Sequence, residues 1–197
     1  TGRYNIAMGY QALRVATAVD GNISIGYRSG EQTTGGGNTF LGHFAGFGNN
    51  SGTNNTYIGG VTAQGINSYG SNNILLGYNI DVPEAYTSYY MNLGGVIFAT
   101  STNFTNTTNN FVGIGTSSPS ARFAVKGTGT GTGRLFALAD SGNAEKVTVL
   151  DNGNVGIGTT TPGQKLSVAG DILGNNIIGS YFTATSTTAS TLAGLLT

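Results

Sequence analysis

The chain has 197 residues with no cysteine, no tryptophan and one histidine, and its eight Lys/Arg and eight Asp/Glu leave it formally neutral. Clustered Lys and Arg, the mark of a nucleic-acid or polybasic membrane binder, are absent. Disulfide frameworks and Cys-based zinc sites are excluded. Gly, Thr, Asn and Ser, all poorer helix formers than Ala, fill half of the chain, while the 38 % apolar content is too high for simple disorder. An all-β protein with many turns and a polar, uncharged exterior is expected. No apolar run approaches the ~20 residues that cross a bilayer, so no direct membrane insertion is expected. The ends, Thr1-Gly2-Arg3 and Leu195-Leu196-Thr197, read as those of a piece processed or excised from a longer chain. Absent cysteine is compatible with a secreted bacterial or viral product.

In chain order, the first element is a repeat. Asn5-Ile6-Ala7-Met8-Gly9-Tyr10 returns as Asn22-Ile23-Ser24-Ile25-Gly26-Tyr27, then as Asn38-Thr39-Phe40-Leu41-Gly42-His43. It continues as Asn55-Thr56-Tyr57-Ile58-Gly59-Gly60 and Asn73-Ile74-Leu75-Leu76-Gly77-Tyr78, with a degenerate copy at Tyr90-Met91-Asn92-Leu93-Gly94-Gly95. The glycines step by 17, 16, 17, 18 and 17 residues. That beat predicts a parallel β-solenoid, or β-roll, of two short strands and two turns per coil, with coils stacked ~4.8 Å apart. Asn5, Asn22, Asn38, Asn55 and Asn73 would form side-chain amide ladders at the turns, and Gly9, Gly26, Gly42, Gly59 and Gly77 would supply positive φ. A β-meander of about eleven short strands is the competing architecture, although it requires no constant period.

Alternate strand residues share a face. Met8, Ile25, Leu41, Ile58, Leu76 and Leu93 are always apolar and are read as an inward structural ladder. Parity extends it to Tyr10, Tyr27, His43 and Tyr78. The other face carries Ala7, Ser24, Phe40, Tyr57, Leu75 and Asn92. Because three of these are large and apolar, it is expected to lie outward and to meet another chain.

A second repeat follows, offset by 43 residues: Phe111-Val112-Gly113-Ile114-Gly115-Thr116-Ser117-Ser118-Pro119 against Asn154-Val155-Gly156-Ile157-Gly158-Thr159-Thr160-Thr161-Pro162. The match continues through Arg122–Gly127 and Lys165–Gly170. Asp140-Ser141-Gly142-Asn143 and Asp151-Asn152-Gly153 carry hairpin signals, and Gly127–Gly133 reads as a flexible loop. The expected organisation is a solenoid over 1–98, a hairpin-rich all-β module over 99–170, and a Ser/Thr-rich extension over 171–197. Ile172, Leu173, Ile177 and Ile178 suggest one or two strands in that extension.

The Asn-initiated, Gly-Tyr-terminated coils resemble the head repeats of YadA-like trimeric autotransporter adhesins and related repeats of phage tail fibres. The Val-Gly-Ile-Gly-Thr-x-x-Pro segments resemble a motif of phage tail fibres and large bacterial surface proteins, often found upstream of endosialidase-type chaperone domains. The coils here are longer and less regular than the adhesin head pattern. The resemblance implies a homotrimer of β-rolls forming an extended extracellular fibre. The function expected is non-catalytic: adhesion or display on a bacterial surface, or alternatively a virion tail-fibre shaft or receptor-binding segment. The partners expected are further copies of the chain, as a homotrimer or a longer filament, and a host-surface glycan or protein receptor.

Few residues offer chemistry. His43 would need a nucleophile and an orienting acid, yet it fills the slot that tyrosines hold in other coils. No charged residue lies between Glu31 and Asp81, and Asp81 and Glu84 flank Pro83, an unpromising pair for glycoside hydrolysis. Asp20, Asp140 and Asp151 sit beside turn glycines rather than in a calcium cluster. Gly113-Ile114-Gly115 and Gly156-Ile157-Gly158 lack a third glycine and a following helix for a dinucleotide. No catalytic, metal or cofactor site is expected. Asn-x-Ser/Thr sequons at Asn22, Asn49, Asn54, Asn103 and Asn106 follow from composition. Thr39 and Thr56 alone align as an ice-binding array would require. Tyr57, Tyr69, Tyr86, Tyr89 and Tyr90 are candidates for stacking on sugars.

Overall fold

The computed structural model describes residues 2–16, 18–64, 68–100 and 110–172. These are all-β, without a helix, and form a nine-stranded and a four-stranded sheet. The short strands β1 (Ile6–Met8), β2 (Ile23–Ile25), β3 (Thr39–Leu41), β4 (Thr56–Ile58), β5 (Ile74–Leu76) and β6 (Tyr90–Leu93) pair in parallel, each with the next. Their register is that of the repeat: Met8 lies beside Ile25, Ile25 beside Leu41, and so on to Leu93. This is a β-solenoid of about five turns.

Each of the repeating coils contributes one strand rather than two. The rest of the coil is a run of turns whose backbone still bonds the next coil, as from Leu13 N–H to the Ser29 carbonyl (3.1 Å), Gly30 to Ala45 (2.8 Å) and Gly46 to Thr62 (2.8 Å). Sharp corners make this possible. Two residues beyond each of the first five repeat glycines the backbone is left-handed, at Gln11 (φ 55°), Arg28 (53°), Phe44 (57°), Val61 (60°) and Asn79 (53°). The conformation is poor for a β-branched residue and tolerated by Asn. Val61→Asn should therefore stabilise the coil by about 1 kcal/mol, read as a higher unfolding midpoint. An unchanged or lower midpoint would show that Val61 packing outweighs its strain.

The repeat glycines are needed for approach as well as φ. Gly42 sits at φ 136°, and a Cβ there would fall on the carbonyl oxygen of Gly59 in the next coil.

The expected direction of the strand faces is corrected. The middle residue of β2 to β5 points in: Phe40, Tyr57 and Leu75 are fully buried, with Ser24 beside them. Met8, Leu41, Ile58 and Leu76 point out, Leu41 remaining 44 % exposed. Ile25 and Leu93, on the same face, are half-buried. A narrow coil accepts one strand side chain per turn and completes its interior with small residues, Ala45 and Ala63, and with Asn and Thr. Alternation tells which residues share a face, not which face closes.

Beyond β6 the chain reverses. β7 (Ile97–Thr100) pairs antiparallel with β6, β8 (Phe111–Ile114) antiparallel with β7, and β9 (Phe123–Val125) parallel with β8. The sheet thus runs unbroken past residues 98 and 99. The second sheet holds β10 (Arg134–Ala139), β11 (Glu145–Leu150), β12 (Val155–Ile157) and β13 (Leu166–Val168). Here β11 pairs antiparallel with β12, and β12 parallel with β13. The 43-residue repeat is therefore a three-stranded unit, β7–β8–β9 and again β11–β12–β13.

Its Gly-Ile-Gly-Thr-x-x-Pro signature has a mechanical basis. A Cβ on Gly113 or Gly156 would strike the carbonyl oxygen of Thr116 or Thr159. Gly115 (φ 71°) and Gly158 (φ 70°) turn the chain through left-handed geometry. The Thr116 hydroxyl then accepts from the Ser118 amide (3.2 Å) and the Thr159 hydroxyl from Thr161 (3.4 Å), closing a side-chain turn. The strand returns parallel 11 residues on, Val112 beside Phe123 and Val155 beside Leu166.

Gly127–Gly133 is no free loop. Asp151 and Asn152 donate backbone hydrogen bonds to the carbonyls of Gly133 (2.8 Å) and Gly131 (2.9 Å), and a Cβ on Gly127 or Gly133 would meet the Asp151 carboxylate. Ile172, expected in a strand, is exposed and in none of the strands; Leu173, Ile177 and Ile178, the rest of the Ser/Thr-rich extension and the sequons at Asn103 and Asn106 lie outside the described residues.

Candidate assembly surface

Three columns run along the solenoid. The first is a continuous amide ladder inside it. The Oδ1 atoms of Asn5, Asn22, Asn38 and Asn55 accept the backbone N–H of the next asparagine at 2.8–2.9 Å, and Asn73 does the same for Tyr90 (2.9 Å). Their Nδ2 atoms donate to the carbonyls of Val19, Gly35, Gly52, Gly70 and Thr87. Asn22, Asn38, Asn55 and Asn73 are buried, and these bonds satisfy amides that would otherwise be costly there. The column is structural.

The second column is apolar and outside. Met8, Ile25, Leu41, Ile58, Leu76 and Leu93 continue through Ile97, Ile114 and Val125 of β7–β9. Beside it runs a parallel row: Ile6, Ile23, Thr39, Thr56, Ile74 and Met91, then Ala99, Val112 and Phe123. Together they form one ribbon across all nine strands, roughly 38 Å long at the usual strand spacing. It is apolar at every position except Thr39 and Thr56. The second sheet repeats the arrangement, placing Val147, Val149, Val155, Ile157, Leu166 and Val168 on one face. Ile157 and Leu166 on it are exposed. Single exposed apolar side chains are ordinary, whereas a contiguous apolar band marks an interaction surface.

The third column is aromatic. Tyr10, Tyr27 and His43 stack with centroids 5.3 and 5.4 Å apart, and all are exposed. Gly60 leaves the next place open, and the Tyr78 ring lies against it. His43 also meets Phe44 edge-on at 4.4 Å. Glu31, a carboxylate that could have oriented an imidazole, is 1 % exposed and engaged elsewhere. It accepts from Arg14 (2.8 Å) and Arg28, and the Arg28 guanidinium covers the rings of Phe44 (5.1 Å) and Phe47 (4.8 Å).

The Arg28 hydrogen bond holds the Glu31 carboxyl below the usual 4.5, against the opposing effect of burial, and Arg14 adds to the lowering. A depressed carboxyl stabilises the fold above its unfolded value, and that contribution is lost as pH falls through the folded value. The unfolding midpoint should drop from pH 7 to pH 3, and less steeply in Glu31→Gln, which should also melt lower at pH 7. Identical pH slopes would show that the cluster contributes nothing to acid stability.

The sugar-stacking candidates separate. Tyr57 and Tyr90 are buried, which removes them and pushes both hydroxyls up to about 12. Tyr69 and Tyr86 are exposed but stack on each other at 5.1 Å, so each hides a face from a ligand. Among the described residues no cluster of three His, Asp or Glu could hold a metal, and no helix is long and apolar enough to cross a membrane.

The fold and its surface define the class: an all-β repeat protein built as a β-solenoid, with an open apolar ribbon. Comparison with protein-family models, with curated proteins and with solved structures returned no match.

Proposed function

We propose that this chain is a non-catalytic structural module of an extracellular fibre, serving adhesion or display on a bacterial surface, and that it works as a homotrimer. The observation that carries the reading is the nine-strand apolar ribbon, which lies bare on a single chain. A narrow coil has little interior of its own, so a second hydrophobic layer must come from another chain. Three copies packed ribbon to ribbon supply it. The amide ladder and stacked backbone make each chain stiff along the axis, and stiffness with a polar, neutral exterior suits display. His43 supports the non-catalytic reading, because its ring is held in an aromatic stack rather than beside an acid. Light scattering coupled to size exclusion should give three times the chain mass. A monomer at micromolar concentration would refute the assembly.

A further inference from the structure

A ribbon of equivalent rungs has a weakness. Successive coils present nearly interchangeable side chains, so two copies can slide by one coil, ~4.8 Å, and lose only the contacts at the ends. Ile6, Ile23, Ile74 and Met91 are all apolar and similar in bulk. Two rungs differ. Thr39 and Thr56 stand at successive levels of one row, on the same outward face, half-buried. They are the polar positions of the ribbon, and they sit in its interior, flanked by Ile23 on one side and Ile74 on the other.

We infer that Thr39 and Thr56 fix the axial register in which copies of this chain associate. The inference rests on the association proposed above. In register, hydroxyls of each copy meet hydroxyls of the others and can hydrogen-bond across the seam. A one-coil slip sets Thr39 of one copy against Ile23 or Thr56 of another, and leaves a hydroxyl at each end of the polar segment covered by an apolar side chain. A covered hydroxyl without a partner is penalised. A buried asparagine specifies register in coiled coils by the same logic, at some cost in stability.

The chain has no cysteine, so introduced thiols report contacts without background. Chains carrying Ile25→Cys and chains carrying Ile58→Cys, differently tagged, are co-expressed and oxidised. Residues 25 and 58 lie two coils apart in the same row. In register their Cα atoms are too far apart for a disulfide, and only homotypic 25–25 and 58–58 links form; a slip of two coils brings 25 level with 58 and sets both threonines of each copy against Ile or Met. Adding Thr39→Val and Thr56→Val should produce 25–58 links at least tenfold above the native background. Thr39→Ser with Thr56→Ser should restore the homotypic pattern. Homotypic links alone in the valine background would overturn the register role while leaving the assembly standing. No homotypic links in the native background would remove the assembly itself, and the register role with it.

Discussion

Leu41→Asp should convert the proposed trimer to a folded monomer. Leu41 sits on the third of the ribbon's nine strands, 44 % exposed on the single chain, with Ile25 and Ile58 on either side. The coil does not need it for its own interior, so the aspartate is solvated when the chain is alone. Association would bring a carboxylate from each copy into a dry seam at one level. A buried, unpaired charge costs several kcal/mol even after relaxation, and three like charges add repulsion. Light scattering should report the single-chain mass at concentrations where the unmodified chain is trimeric, and the β-sheet circular dichroism should persist. Leu76→Asp, two coils along, should behave alike. Trimers that survive both substitutions would mean that the ribbon is not the seam.

Phe40→Ala should have the opposite character. Phe40 is the neighbour of Leu41 in sequence, but it is fully buried and packs against Tyr57 at 5.5 Å. It also fills the space beneath two turns, since a Cβ on Gly30 or Gly46 would meet its ring. Truncating such a side chain typically costs about 3–5 kcal/mol, the transfer loss plus the cavity. The third coil should unfold, breaking the stack on both sides, and the β-sheet signal should fall together with association. Retention of the native spectrum and midpoint would show that the interior tolerates a cavity of that size. The adjacent pair is diagnostic because one residue acts through the chain's own core and the other through its neighbours.

The parts of the molecule that can be read from residue order alone are those that depend on spacing. The glycines from Gly9 to Gly94 set the winding and its length, because a chain that returns every 17 residues or so can only stack like on like. The asparagines preceding each strand announce their ladder for the same reason. The 43-residue offset marks a second repeated unit, and the Asp140 and Asp151 turns mark reversals. The inclusion of β7 in that unit escapes such a reading, since Ile97–Thr100 shares its place with Glu145–Leu150 and little of its sequence. The left-handed corner at Val61 escapes it too, because a β-branched residue advertises the opposite preference.

What residue order cannot assign is sign. A three-residue strand with apolar groups on both sides, as in Ile74-Leu75-Leu76, is consistent with either face closing inward. The tertiary structure decides, through the width of the coil. The interior has room for one strand side chain per turn, so the middle residue enters and its two neighbours are turned out. That packing constraint, invisible in the alternation itself, leaves the most regular hydrophobic row on the outside of the chain.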